Sequence, residues 1–213
     1  MALKITRQDD FELTYQNIEK FGSAMWNRME RVGGEKTYAT MFKILYSDSG
    51  LYFLICCEDK KISATMQKDG DDLYTEDVLE IFLQPDPEHP VYLEYEISPL
   101  NKELVLMVSH NGENFYGWLP FHYYGARKAE HIIWCGEEES GEQNCRLIWR
   151  AMIYIPFALL EGVMPERPSA GTVWKGNLYR IDYDEDDVSR YAFRTECGTD
   201  FHDYKKFEDL IFE

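Results

Sequence analysis

Paired carboxylates are the side chains of this sequence whose spacing most directly allows chemistry. Glu94 and Glu96 stand two residues apart in an alternating segment, so a strand would place both carboxylates on one face. A glycosidase needs two carboxyl groups roughly 5–10 Å apart across a cleft. In a chain with 39 acidic residues, however, the same spacing is typical of a solvated strand face. We therefore interpret the pair as a surface feature and keep a glycoside-processing enzyme as the least favoured alternative.

An acidic segment at residues 69–77 offers hard oxygen ligands. It contains Asp69, Asp71 and Asp77, and Asp59 ends the apolar run before it. Calcium takes about six to eight oxygen ligands from loops of this kind, although the spacing here is not that of an EF-hand. These four carboxylates predict structural calcium as the candidate cofactor, with a solvated turn as the alternative.

Aromatic side chains are the other excess, with 15 Tyr, 12 Phe and 5 Trp. A sugar ring has an apolar C–H face and an edge of hydroxyl groups, so flat aromatic rings beside carboxylate, amide or guanidinium groups suit it. Most of the rings must pack in the core, which is the alternative for each of them. Those beside Gly, Asp or Pro in predicted loops are candidates for a saccharide site: Tyr74, Trp118, Tyr123, Tyr124 and Phe201.

Charge and motif content exclude several classes of function. A net charge of −17 disfavours nucleic-acid and anionic-membrane partners. The sequence has no P-loop, no G-x-S-x-G and no H-E-x-x-H, so we expect no enzyme activity. Five cysteines without a C-x-x-C spacing indicate free thiols. With no signal peptide visible, we expect a cytoplasmic protein, or an extracellular one if a leader was removed.

The elements that position these residues are predicted to be strands. Residues 38–46 alternate and lead through the turn Ser47–Gly50 into an apolar run at 51–57, which is typical of a hairpin. A second pair is predicted at 78–83 and 91–98. Further strands are predicted at 103–109, 131–135, 145–155, 174–182, 191–196 and 207–212, with an acidic loop at 136–142 and a helical turn at 157–160. Residues 17–29 are predicted to form a short helix or an irregular edge. Roughly ten strands at this spacing favour one all-β sandwich domain over residues 1–213.

Six segments together resemble carbohydrate-binding module family 9. They follow one another in the order of the family and span nearly the whole chain: residues 39–59, the D-x-x-E strand 77–83, the strand 92–99, the I-P-x-x-x-L end of 151–160, the strand 174–180, and the closing segment 200–212. The resemblance implies a jelly-roll-like antiparallel β-sandwich with short helical turns and no catalytic centre. It also implies structural calcium.

The resemblance further implies a sugar held between two aromatic rings. They fall at Tyr74 and Phe201, where the family pattern has Trp, and Glu96 stands where an Arg is expected. Asn177, Tyr179 and Arg180 lie on the matching strand 174–180 and are carried over as ligand contacts. For Arg180 the alternative is a structural ion pair, with Glu80 as the expected partner. We predict a non-catalytic saccharide-binding domain, with a protein-interaction domain that has lost sugar binding as the alternative.

Overall fold

The computed structural model of the chain describes residues 2–120, 122–140 and 144–213. Its strands are β1 Leu3–Arg7, β2 Asn27–Gly33, β3 Thr40–Tyr46, β4 Gly50–Asp59, β5 Val78–Gln84, β6 Val91–Ile97, β7 Glu103–His110, β8 Phe115–Trp118, β9 Glu130–Ser140, β10 Asn144–Pro156, β11 Val173–Tyr183, β12 Val188–Ala192 and β13 Glu208–Phe212. The helical elements are α1 Phe157–Leu160 and 3-10 helices at Tyr15–Ser23, Leu73–Thr75, Gly125–Arg127, Thr195–Cys197 and Tyr204–Lys206. The predicted β-sandwich class is confirmed, and the described residues form 13 strands rather than roughly ten.

Two layers of strands form the sandwich. The hydrogen-bonded order is β8-β7-β6-β5-β11-β12 in the first layer and β2-β3-β4-β10-β9 in the second. Strand β2 connects the layers because it pairs with both β12 and β3. Strand β1 also connects them, pairing in parallel with β13 and with β3. All other strand pairings in the described residues are antiparallel, which confirms the predicted antiparallel sandwich.

The predicted early hairpin is confirmed as β3 and β4. Alternation places Ile44 opposite Phe53 in the antiparallel register, and both side chains are buried. The turn is closed by Ser47 Oγ, which accepts hydrogen bonds from the backbone N–H groups of Ser49 at 3.1 Å and Gly50 at 3.2 Å. A glycine is needed at position 50 because a Cβ there would lie 2.5 Å from the carbonyl oxygen of Ile155.

The core lies between the layers and decides which residues face outward. One buried cluster contains inward side chains of both layers: Phe42, Phe53 and Ile153 from the second, and Leu79, Tyr95 and Leu178 from the first. Each such side chain stabilises the fold by roughly 1.5–3 kcal/mol of apolar burial. Because strand side chains alternate, the neighbours of Leu79 and Tyr95 point to the outer face of the first layer. Glu80, Glu94 and Glu96 are therefore on that face.

Several segments differ from their predicted conformations. Within residues 17–29, a 3-10 helix (Tyr15–Ser23) is followed by the start of β2 at Asn27. Most of the predicted acidic loop at 136–140 continues β9, while residues 141–143 lie outside the described part of the chain. The strand predicted at 191–196 begins earlier, at Val188, and ends at Ala192. No helix in the described residues is long and apolar enough to cross a membrane.

Candidate functional site

A cleft of about 740 Å³ opens on the outer face of the first layer. Strands β5, β6 and β7 supply its floor, and β8 forms one side through Phe115 and Gly117. The turn that contains Tyr74 and the closing segment at 199–202 form the rim. The polar and charged residues that line the cleft include Asp72, Tyr74, Glu80, Glu94, Glu96, Arg190, Asp200 and His202. The cleft therefore combines aromatic rings with a strongly acidic floor.

Three glutamates of the cleft floor are buried. Glu80, Glu94 and Glu96 are 3%, 6% and 0% exposed, and Glu80 stands directly opposite Glu96 across the β5–β6 ladder. The interpretation of Glu94 and Glu96 as a solvated strand face is therefore wrong. Strand β6 lies between β5 and β7, whose outward side chains flank Glu94 and Glu96 and reduce their contact with solvent.

Burial changes the protonation of the three carboxyl groups. Burial raises the pKa of Glu94 to about 7. Burial and the neighbouring charges of Glu80 and Glu94 raise the pKa of Glu96 well above its ordinary value. Burial and the charge of Glu94 also raise the pKa of Glu80 well above its ordinary value, whereas the charge of Arg190 lowers it. Near neutral pH the cluster therefore retains protons and presents hydroxyl donors as well as acceptors.

The Glu96 carboxyl group is held loosely. It lies beside the Glu94 carboxyl group and the backbone of Tyr74, but within the described residues neither of its Oε atoms meets strict hydrogen-bond geometry. A buried polar group without a partner costs roughly 1–3 kcal/mol. Glu96 therefore contributes a loosely bonded, buried carboxyl group to the floor of the cleft.

The two aromatic rings expected to hold a sugar both line the cleft but differ in exposure. Tyr74 is 45% exposed, so its ring is accessible to a ligand. Phe201 is only 7% exposed and stacks on Tyr179, with ring centroids 4.1 Å apart and an interplanar angle of 14°. Its direct stacking on a sugar stays a prediction. In this geometry Phe201 lines the cleft but offers little free surface for a sugar.

Phe115 is the exposed ring that the sequence analysis does not identify. It is 48% exposed, lines the cleft and stacks on His202 with centroids 3.7 Å apart and a 14° interplanar angle. The His202 ring lies 2.7 Å from the Tyr92 hydroxyl through Nδ1, and burial lowers its pKa to about 4. His202 is therefore neutral near pH 7 and serves as an aromatic support for Phe115. The N-G turn before β8 was the available sequence signal.

Three further candidates do not line the cleft. The Asn177 side chain bonds to the backbone of Arg194, donating to its carbonyl at 3.1 Å and accepting from its N–H at 2.9 Å. The Tyr179 hydroxyl donates to the carbonyl of Phe201 at 3.1 Å. Trp118 lies in β8 rather than in a loop, and alternation turns it away from the face that Phe115 shares with Gly117. Tyr179 thus holds the closing segment against β11, and Asn177 holds the backbone at Arg194 against the same strand.

Arg180 lies on the opposite face of β11, buried between the layers. It pairs with Asp59 at 3.1 Å and with Asp182, and donates to the carbonyl of Glu58 at 2.7 Å. The predicted ion pair between Arg180 and Glu80 is wrong, because Glu80 stands opposite Tyr179 and faces the cleft. A buried guanidinium with this number of acceptors has a structural role.

The four predicted calcium ligands do not form a cage. Asp59 pairs with Arg180, and Asp77 accepts backbone N–H bonds through both oxygens, from Ser63 at 2.5 Å and Tyr183 at 2.7 Å. Asp69 and Asp71 accept long backbone bonds of 3.3 Å. No cluster of three or more His, Cys, Asp or Glu suited to a metal ion occurs in the described residues. Calcium binding stays a prediction.

Comparison with known proteins agrees with this architecture. Residues 10–108 match the family model described as carbohydrate family 9 binding domain-like. That range covers β2 to β6 and most of β7, and thus the three glutamates of the cleft floor. A search of curated proteins finds no match.

Solved structures with the same fold include carbohydrate-binding proteins. A candidate carbohydrate-binding protein from Bacteroides uniformis superposes with a TM-score of 0.77 at 13% identity, covering 99% of this chain and 98% of its own. A family 9 module from Caldicellulosiruptor kristjanssonii in complex with cellotriose gives 0.64 at 13% identity, covering 99% and 93%. Its complex with glucose gives 0.64 at 14% identity, covering 99% and 95%. At these identities the likeness concerns the fold.

Proposed function

We propose that this chain, whose residues 10–108 match the carbohydrate family 9 binding domain-like model, binds a saccharide in the cleft on the outer face of its first layer. The observation that carries the proposal is the meeting of two exposed rings, Tyr74 and Phe115, with the carboxyl groups of Glu80, Glu94 and Glu96 in one cleft. Flat rings accept the C–H face of a sugar, and a carboxyl group bonds to its hydroxyl groups.

The dimensions of the cleft suit a small saccharide. Its volume of about 740 Å³ lies in the range of pockets that hold drug-sized ligands. The cleft is lined along β7 by Leu104, Leu106 and Val108, which provide an apolar surface between the glutamates and Phe115. A sugar ring placed there would contact apolar side chains on its faces and the acidic floor with its edge.

We further propose that the site has no catalytic function. Glu94 and Glu96 are adjacent on one strand face and belong to a single floor, whereas a glycosidase places its carboxyl groups on two sides of the scissile bond. The expected result is no product release from a panel of aryl glycosides between about pH 5 and 8. Release that disappears in Glu94→Gln would contradict the proposal and support the enzyme alternative.

Saccharide binding is tested by screening the purified protein against soluble glycans, with calcium and with chelator, using intrinsic fluorescence. Tyr74→Ala and Phe115→Ala should each weaken binding of a hit by about tenfold, since a lost aromatic contact removes roughly 1–1.5 kcal/mol. The matched control is Tyr116→Ala, because Tyr116 neighbours Phe115, is 59% exposed and does not line the cleft. Equal affinity in all three variants would refute the site.

Protein binding is the second candidate function, and one observation favours it. Tyr15 and Trp26 are 63% and 46% exposed and line a separate groove on the outer face of the second layer. Exposed rings of this kind are enriched at protein interfaces. A folded protein that binds none of the glycans would make this function the leading one.

A further inference from the structure

We propose that the groove on the outer face of the second layer is a second site for a neutral saccharide, so that the domain binds sugars on both sides of its sandwich. The groove has a volume of about 380 Å³, within the range of roughly 300–1,000 Å³ found for small-molecule pockets. Its aromatic and charged lining residues are Tyr15, Glu19, Trp26, Lys43, Trp134 and Arg150. The inference goes beyond the proposed site in the cleft, and each of the two sites can be tested without the other.

The strand register places the floor of the groove on the side of the sandwich away from the cleft. Antiparallel pairing sets Cys56 of β4 opposite Arg150 of β10, and sets Arg150 opposite Trp134 of β9. The next residues along two of these strands, Cys57 and Trp149, are buried in the core, so alternation turns the first three side chains outward. Two packed sheets, about 10 Å apart, therefore separate the groove from the cleft, and one sugar ring cannot contact both sites.

The exposed rings of the groove are held in place by their neighbours. Trp26 is 46% exposed, and the Lys43 ammonium group lies 4.9 Å from the centroid of its ring. The same ammonium group donates to the carbonyl of Phe21 at 2.8 Å, which fixes its position. Tyr15 is 63% exposed and meets Trp134 edge to face, with ring centroids 5.6 Å apart. Because these rings are already ordered, a ligand that contacts them costs less conformational entropy.

The charged groups of the groove suit the hydroxyl groups of a sugar. Glu19 is exposed and offers acceptor oxygens, whereas Lys43 and Arg150 are half-buried and carry N–H donors. A hydroxyl group both donates and accepts, so the edge of a sugar ring can bond to either kind, while its C–H face contacts an aromatic ring. The cores of protein interfaces, by contrast, are depleted of Lys and Glu. This mixture of rings and opposite charges therefore favours a neutral saccharide over an apolar protein segment.

Tryptophan signals distinguish the two sites in solution. Trp26 and Trp134 line the groove, whereas the described lining residues of the cleft include no tryptophan. In a proton–nitrogen NMR spectrum, the indole N–H signals of these two residues report the groove, and the backbone amide of Gly117 reports the cleft. The probes are cellotriose, xylotriose and mannotriose at millimolar concentrations. We expect at least one of them to move both groove signals and to leave those of the buried Trp149 and Trp174 unchanged.

Variants of each site make the assignment specific. Trp26→Ala should weaken binding in the groove by about tenfold, read from the Trp134 signal, because it removes one aromatic contact. The matched control is Met25→Ala, because Met25 neighbours Trp26, is 80% exposed and does not line the groove. The double variant Tyr74→Ala, Phe115→Ala lacks both exposed rings of the cleft and should keep the wild-type affinity of the groove.

The outcomes separate this inference from the proposed function. Groove signals that stay unmoved while a trisaccharide shifts Gly117 would overturn the second site and leave saccharide binding in the cleft intact. Groove signals that move while Gly117 does not would support the second site and count against the cleft. Silence at both sites would overturn both and favour protein binding. An affinity of the groove that is unchanged in folded Trp26→Ala would also overturn the inference; if that variant does not fold, Tyr15→Ala is tested in the same way.

Discussion

Replacing Glu94 by Gln should make the protein more stable at high pH. Burial raises the pKa of Glu94 from 4.5 to about 7, and the side chain is 6% exposed. A carboxyl group whose pKa is raised by folding stabilises the native state fully below its unfolded pKa, and this stability is lost as pH rises through the folded pKa. A shift of this size corresponds to about 3 kcal/mol, since each unit is worth about 1.36 kcal/mol. Gln cannot ionise, so the variant avoids that loss.

Urea denaturation at pH 4, 6 and 8 measures the effect. At pH 4 the free energies of unfolding of Glu94→Gln and wild type should agree within about 1 kcal/mol, because both carry a neutral side chain there. At pH 8 the variant should be the more stable by about 3 kcal/mol. The control is Glu88→Gln, because Glu88 is exposed in the loop between β5 and β6, and this variant should follow wild type throughout. A difference that is constant from pH 4 to 8, or a variant that is less stable at pH 8, would refute the buried-cluster reasoning.

Further predictions concern the interior and the ions. Arg180→Met should lower the free energy of unfolding by roughly 3–5 kcal/mol at pH 8, measured in urea, because Asp59 and Asp182 lose their buried partner; a loss below about 1 kcal/mol would contradict the ion-pair account. Gly176→Ala should cost roughly 1–3 kcal/mol, since its Cβ would lie 2.5 Å from the carbonyl oxygen of Phe82, whereas Gly162→Ala has open space and should be nearly neutral. If the protein binds calcium, its melting temperature should be higher in millimolar calcium than in chelator, because a ligand of the native state stabilises it. Equal melting temperatures would contradict the predicted calcium site.

The sequence predicts the regular strands well where alternation and turn residues agree. Strands β3 and β4 are an example, because their apolar pattern and the turn at Ser47 indicate the same hairpin. Strand β8 is too short for its pattern to be recognised, with four exposed residues at the edge of the layer. The start of β12 at Val188 cannot be recognised from the sequence, because Val188 directly follows an acidic turn and its own strand is only five residues long. These strands exist because a neighbouring strand provides their hydrogen-bond partners, which a local pattern does not reveal.

The site is predictable only in part, because its residues come from distant strands. Tyr74 and Glu96 follow from the family resemblance and do line the cleft. Phe115 and Arg190 reach it through the order of β8 and β12 in the layer, which no local sequence pattern specifies. Glu80 was expected to pair with Arg180, but adjacent registers on β5 and β11 place the two side chains on opposite faces. Assigning a partner to a charged strand residue therefore requires the register as well as the alternation.

The most direct test of the central claim is the structure of the protein with a bound oligosaccharide from the glycan screen. The account predicts a sugar ring over Tyr74 and Phe115 in the outer cleft, with a polar group of the sugar within about 3.2 Å of a Glu96 oxygen. A sugar seated elsewhere, such as the groove lined by Tyr15 and Trp26, with the outer cleft free of sugar, would contradict it.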